Sequence, residues 1–283
     1  MDPEYIKSIV SYYDNTRLDY RLLWFVNNNR SVHFGYYTQE VKSHGDALMN
    51  LNKVMATKAG VTDGDIILDA GCGQGGSSLW LAGNYNVHVH GITLVPHQVK
   101  KAQKIAQKKT FADRLSFSVQ DYTTTKFDDE SFSLIWACES MCHASEKLKF
   151  YQEAWRLLKP GGRLICADYF RTERPHSQEG EKLLHEWLNG WSINDIDTSS
   201  EHQRNAEQCG FVNFEIENIT QFTKPSLRRL HLIASKLWSF GQFLKGIGLR
   251  NKVNHGNHFS SIKQFEALEN KLWYYGMLSL NKP

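Results

Sequence analysis

Apolar residues fall into two patterns along this chain, short unbroken runs and longer stretches of helical spacing. Runs at residues 66–68, 87–94, 115–119, 132–137 and 163–170 are each short and bounded by polar or turn residues, and each predicts a strand. Helical spacing precedes them in Ile6, Ile9 and Val10, and again in Ala47, Leu48, Leu51, Val54 and Met55, where Gly60 supplies a stop. Residues 4–59 are therefore expected to be helical. Between the last two runs Leu148, Trp155 and Leu158 mark one face of a helix that ends at Leu158-Lys159-Pro160-Gly161-Gly162, a turn signal. Past Phe170 the pattern loosens. Residues 180–189 and 201–209 read as helices, 211–219 as a strand and 270–280 as a last, aromatic-rich strand.

The junction after the first run carries the most chemistry. Ile66, Ile67 and Leu68 end in Asp69 and pass into Gly71, Gly73, Gly75 and Gly76, with Ser77 or Ser78 near the start of the next helix. Glycine serves where backbone turns with positive φ, or approaches a ligand more closely than a Cβ allows. Related loops hold phosphates and dinucleotides, but here the acid comes first and no Gly-Lys-Ser/Thr follows. The second strand also departs from most nucleotide-binding sheets. Where an acid would meet the ribose hydroxyls stand Gly91, Ile92, Thr93, Leu94, Val95, Pro96, His97 and Gln98.

The acid-then-glycine order resembles motif I of the S-adenosylmethionine (SAM)-dependent methyltransferases of the Rossmann-like class I. The Leu-Lys-Pro-Gly-Gly passage before the 163–170 run resembles a second hallmark of the same group. The resemblance implies an α/β fold: a seven-stranded sheet with helices on both faces, an N-terminal helical lid, and a helical insertion before the last strand. It implies SAM as cofactor, bound by Asp69, Gly71, Cys72, Gly73 and Gly75. The stretch from Gly91 to Gln98 is similar to a variant found in tocopherol, sterol and cyclopropane-type methyltransferases, in which Thr and Gln replace the acid. This assigns Thr93 and Gln98, with Leu94, to the nucleoside, although Thr93 also suits a helix cap. By the same likeness Asp121 accepts from the adenine amino group, with Tyr122 and Cys138 nearby; a turn acid at a strand exit is the alternative for Asp121.

Residues 12–37, with Tyr12, Tyr13, Tyr20, Trp24, Phe25, Phe34, Tyr36 and Tyr37, resemble the N-terminal region of sterol, tocopherol and prenyl methyltransferases that covers the methyl donor. Tyr20, Trp24 and Tyr36 are expected to touch an apolar acceptor. The competing account is that these rings only dock helices on the sheet.

Methyl transfer from a sulfonium is an in-line displacement, so the enzyme holds donor and acceptor close, aligned and dry. Oxygen and nitrogen acceptors want a base, whereas methylation at an alkene carbon forms a cation that must then lose a proton. Residues 137–144, Ala-Cys-Glu-Ser-Met-Cys-His-Ala, resemble the corresponding stretch of sterol and prenyl diphosphate C-methyltransferases. Glu139, at the carboxyl edge of the sheet, is the candidate base, with a supporting or capping acid as the alternative. His143 is the further candidate. Aromatic faces suit a cationic intermediate, attracting it by about 0.5–2 kcal/mol.

Residues 218–265 contain no Asp or Glu and hold Lys224, Arg228, Arg229, Lys236, Lys245, Arg250, Lys252 and Lys263. Leu227, Leu230, Ile233, Leu237 and Trp238 alternate with them at helical spacing, which predicts an amphipathic basic helix. Three uses remain open: Arg228 and Arg229 as anchors for a diphosphate, with Mg²⁺ bridging it; a peripheral foot on an anionic membrane; or a solvated face. The expected activity is C-methylation of a small lipophilic isoprenoid, a prenyl diphosphate or a sterol-like molecule, in specialised metabolism. An O- or N-methyltransferase of an aromatic or amine natural product is the alternative, and a catalytically silent scaffold is a third reading.

Bulk properties narrow the class little further. The 283 residues suit a single domain divided into a lid (1–59), a SAM-binding core (60–170) and acceptor-side elements with the basic insertion (171–283). A net charge of +3 gives no argument for nucleic acid, and no apolar run is long enough to span a bilayer. The acidic start lacks a signal-peptide pattern, and five cysteines without C-x-x-C spacing suit reduced thiols, so a cytoplasmic protein is expected. A homo-oligomer is compatible with all of this.

Overall fold

A computed structural model of the chain describes residues 1–17, 31–246, 248 and 251–283. Tyr20 and Trp24 lie outside the described residues, as do Phe25 and Arg250. Seven strands form one sheet: β1 (Ile66–Ala70), β2 (His88–Thr93), β3 (Leu115–Val119), β4 (Phe132–Cys138), β5 (Leu158–Arg171), β6 (Val212–Asn218) and β7 (Trp273–Asn281). Their order is β3-β2-β1-β4-β5-β7-β6, and only β7 runs antiparallel to its neighbours. The order reverses between β1 and β4, which opens a crevice at their carboxyl ends, the place where open α/β sheets bind ligands.

The period-2 alternation of the strands divides the core. Ile67, Leu134 and Ile165 pack on one side with Leu51, Met55 and Leu81, while Leu68, Ile135 and Leu164 pack on the other with Tyr151 and Phe211. Helices therefore cover both faces: α2 (His44–Lys58) and α3 (Gly76–Asn84) on the first, α5 (Lys147–Leu157) and α7 (Ser199–Gln208) on the second. α1 (Pro3–Asn15), α4 (Pro96–Ala106) and α6 (Gln178–Gly190) complete the layers. α8 (Thr220–Gly246) and α9 (Lys252–Glu269) form the insertion before β7. Helix starts follow local chemistry: Asp2 caps α1 beside Pro3, Ser43 caps α2, and Thr198 with Glu201 makes a capping box on α7.

Three expectations need correction. Residues 31–43 are not helical. They form an extended strap whose backbone is satisfied elsewhere, Tyr36 N–H donating to Ala47 O at 2.8 Å and Tyr37 N–H to Phe222 O at 2.9 Å. Gly35 permits this approach, since a Cβ there would lie 2.7 Å from that of Ala47. The Pro-Gly-Gly turn lies inside β5 rather than before it: β5 pairs with β4 at Leu158, bulges, and resumes at Arg163, with Gly161 at φ 75°. β7 starts at Trp273, because α9 runs on to Glu269 and Lys271 takes a positive φ of 57°.

Candidate active site

The crevice is a cleft, partly open to solvent, between the β1, β2 and β4 turns, the strap and α1. Gly71 and Cys72 each donate a backbone N–H to Ile92 O at 2.9 Å, which folds the loop back over β2. Gly71, at φ 92°, is a forced glycine: a Cβ would stand 2.3 Å from that of Ser140, whose hydroxyl donates to Ala70 O at 2.5 Å. Gly73, at φ 53°, differs because, its chain neighbours aside, no atom of the described residues lies within 4 Å of where its Cβ would be. The loop therefore presents bare backbone to the cleft there.

Asp69 is 2 % exposed and accepts from the Ser78 hydroxyl at 2.5 Å, tying the end of β1 to α3; burial raises its carboxyl to about 6. Thr93 donates to the Gln98 amide oxygen at 2.9 Å, which leaves the amide N–H₂ as the pair's free donor type. No acid could follow this geometry at Gly91, where a Cβ would be 2.6 Å from the Phe117 ring.

Glu139 sits on the cleft floor with φ 48°, a left-handed backbone that costs about 1–3 kcal/mol for a non-glycine residue and is most often retained at functional sites. Its Oε1 accepts from Phe34 N–H at 2.6 Å and Tyr275 O–H at 2.7 Å, and its Oε2 from Tyr169 O–H. Tyr169 and Tyr275 are register partners across β5 and β7, so their hydroxyls converge. Burial pushes the Glu139 carboxyl up to about 8, against the lowering pull of these three hydrogen bonds.

Two histidines share the cleft, and both are neutral. His143 Nδ1 faces the Ser192 carbonyl at 3.3 Å, which can only accept, so the proton is on Nδ1 and Nε2 accepts from Tyr13 O–H at 3.2 Å. His33 likewise puts Nδ1–H on Phe34 O at 2.9 Å. Its Nε2 has no partner among the described residues, although the ring is only 3 % exposed and lines the cleft. Burial lowers both rings to about 4, so that lone pair stays unprotonated at neutral pH.

The sequence-predicted residues thus divide. Asp69, Gly71, Cys72, Gly73, Thr93, Leu94, Gln98, Tyr122, Cys138, Glu139 and His143 all line the cleft. Gly75 does not; it starts α3 at φ 82° and packs against Phe117. Asp121 is also absent from the lining, its carboxylate taking Met1 N–H at 2.6 Å and Thr123 N–H at 2.8 Å. Tyr36 stacks on Phe222 at 4.4 Å, and Arg228 and Arg229 line a separate groove on α8. His33 lines the cleft and Tyr169 and Tyr275 hold Glu139 through their hydroxyls, and no sequence motif marks these three. Among the described residues no group of three His, Cys, Asp or Glu side chains could hold a metal.

Residues 68–166 match a family model described as "Methyltransferase domain". The chain is 30 % identical over 228 residues to 2-methyl-6-phytyl-1,4-hydroquinone methyltransferase of Synechocystis sp., covering 78 % of this chain and 70 % of that protein. The chain belongs to the class I SAM-dependent methyltransferases. Similar too are 27-O-demethylrifamycin SV methyltransferase of Amycolatopsis mediterranei, 29 % identical over 72 % of this chain and 73 % of the relative, and sterol 24-C-methyltransferase ERG6 of Saccharomyces cerevisiae. The last is 28 % identical over 74 % of this chain, which spans about half, 54 %, of that relative.

Among solved structures, geranyl diphosphate C-methyltransferase from Streptomyces coelicolor superposes with a TM-score of 0.76 at 19 % identity, covering 100 % and 99 % of the two chains. The [4+2]-cyclase SpnF reaches 0.79 at 22 %, over 97 % and 95 %. These two share the fold of this methyltransferase. Its cofactor is SAM, and the cleft suits that molecule: Gly73 leaves room for a close ligand, and the Thr93–Gln98 pair offers neutral hydrogen-bonding groups where a nucleoside would lie.

Proposed function

We propose that this methyltransferase methylates a carbon of an uncharged, sterol-like or prenylated lipophilic acceptor. One observation carries the reading: a half-buried carboxyl group, Glu139, lines the cleft and is held from behind by Phe34 N–H and the Tyr169 and Tyr275 hydroxyls. SAM supplies the electrophilic methyl group. Methylation at an alkene leaves a cation next to the new C–C bond; the Tyr13 and Tyr122 rings that line the cleft shield it, and Glu139 takes the proton whose loss restores the double bond. The strap and the Tyr169–Tyr275 pair hold the carboxylate in place and keep water from the cation.

Arg228 and Arg229 line a groove apart from the cleft, so this reading gives them no part in the chemistry, and Mg²⁺ would enter only with a diphosphate acceptor. On the same reading the chain divides into a lid (1–59), a SAM-binding core (60–170) and acceptor-side elements (171–283).

A second reading has its own observation. The buried Nε2 of His33, without a partner among the described residues of the cleft lining, would serve as the base for O-methylation of a phenol or hydroquinone that reaches it. One experiment separates the two: labelled SAM with sterols, prenyl hydroquinones, prenyl diphosphates, phenols and amines, using wild type, Glu139→Gln and His33→Ala. Carbon transfer abolished by Glu139→Gln and spared by His33→Ala supports the first reading; the reverse pattern on a hydroxyl acceptor supports the second. Transfer to prenyl diphosphates alone would overturn both.

A further inference from the structure

α8 is 27 residues long, and its two faces differ in chemistry. Inward it buries Thr223, Ser226, Leu227, Leu230 and Ala234. Outward, at steps of three and four residues, run Pro225, Arg228, Leu232, Lys236, Ser239 and Phe243, every one of them exposed. Leu232 is 45 % and Phe243 61 % exposed, large values for apolar side chains that interleave with cations. The stripe is about 27 Å long at 1.5 Å per residue. Lys224, at its edge, pairs with Glu269 at 2.7 Å; Arg228 and Lys236 have no acidic partner among the described residues, and residues 218–265 contain no acid at all.

We infer that this face of α8 docks on an anionic lipid bilayer. Basic side chains meet the negative headgroup layer, and Leu232 and Phe243 enter the boundary beneath it, the arrangement of a helix lying in the plane of a membrane. No helix among the described residues is long and apolar enough to cross one, so the contact is peripheral. The inner side of the same helix holds the strap: Ser226 Oγ accepts from Gly35 N–H at 3.1 Å, Phe222 O accepts from Tyr37 N–H, and the Phe222 ring stacks on Tyr36. A bilayer on the outer face therefore lies about one helix diameter, roughly 10–12 Å, from the segment that walls the cleft. A lipophilic acceptor would pass from bilayer to cleft along this helix. The surface itself stands whichever atom is methylated.

The test is co-sedimentation of the full chain with vesicles of phosphatidylcholine alone and of equal parts phosphatidylcholine and phosphatidylglycerol. Binding is expected to the anionic vesicles only and to weaken with added salt. Arg228→Ala with Lys236→Ala should weaken it about 25-fold, roughly fivefold for each basic side chain removed. Phe243→Ser, at a site too exposed to unfold the protein, should weaken binding at constant charge. SAM affinity by calorimetry should stay at the wild-type value in all variants. Equal binding to both vesicle types, no binding, or wild-type binding by the variants would overturn the inference. So would a concentration-dependent dimer lost in these same variants, which would give the face to a second copy of the chain.

Discussion

The backbone N–H of Phe34 donates to the carboxylate of Glu139 at 2.6 Å, joining residues 105 positions apart. A second element, β5, contributes Tyr169 to the same group, and β7 contributes Tyr275. Glu139 is thus both the fastening of the strap and the acid that faces the cleft, and substitutions can separate the two duties. Glu139→Gln keeps an acceptor for Phe34; it should leave SAM affinity nearly unchanged and lower turnover by about 10²-fold, the scale of a lost general base. Glu139→Ala abandons three donors and should also cost about 1–3 kcal/mol of stability. Single-turnover kinetics and thermal unfolding of both variants check this, and a Gln variant at full speed would remove the base role.

Burial holds Glu139 at about 8. A base must be ionised, so kcat/KM should rise with pH and level off above about 8 in the wild type, and lose this limb in Glu139→Gln. The sulfonium charge of bound SAM favours the carboxylate, so the kcat profile, which reports the complex, should lie at lower pH than that of kcat/KM. Stability runs the other way. The folded pKa lies above the unfolded value, so this group's contribution is present in acid and is lost as pH rises from about 4.5 to about 8.

Buried histidines titrate with the opposite sign. His202, 1 % exposed and bonded to Tyr151 O–H at 3.0 Å, is lowered to about 3 by burial. Its folded pKa lies below the unfolded value of 6.5, so its contribution is present above pH 6.5 and is lost as pH falls toward 3. His202→Gln has no proton to gain. Its destabilisation relative to wild type should therefore shrink steadily between pH 6.5 and 4, as chemical denaturation at several pH values would reveal; a constant difference would contradict a neutral buried ring.

Two glycines of the same loop should fail differently. Gly71→Ala forces a Cβ to 2.3 Å from Ser140 and should lower both the unfolding midpoint and SAM affinity. At Gly73 a Cβ meets no atom of the described residues beyond its chain neighbours, yet Gly73→Val fills the open cradle, so SAM binding should weaken by at least about tenfold, or about 1.4 kcal/mol, while the midpoint moves less than for Gly71→Ala. Calorimetry and thermal unfolding, run in parallel, make the comparison.

Much of this was legible in the residues. The strand at 115–119 falls where expected, and eleven cleft-lining residues are readable because motif loops sit at strand ends whose positions the apolar runs mark. What stayed hidden depends on pairings distant in sequence. Tyr169 and Tyr275 reach Glu139 only because β5 and β7 run antiparallel in one particular register. The role of His33 rests on which ring nitrogen the Phe34 carbonyl occupies, and no spacing encodes that. Arg228 and Arg229 were placed on the right helix, but helical periodicity gives a face and not the neighbour it turns toward. The strap at 31–43 departs from the helical expectation because helical spacing only flanks it, while its own N–H groups donate to Ala47 and Phe222.

The Glu139 site has an assembly order written into it. Its partners come from residues 34, 169 and 275, so the first and last parts of the chain must both have reached the middle of the sheet before the carboxylate is enclosed. The glycine loop after β1, by contrast, is built from neighbouring strands and can form early, since local contacts cost less chain entropy than distant ones. A refolding chain should regain cofactor binding before turnover, and the interval between the two would time the arrival of β7.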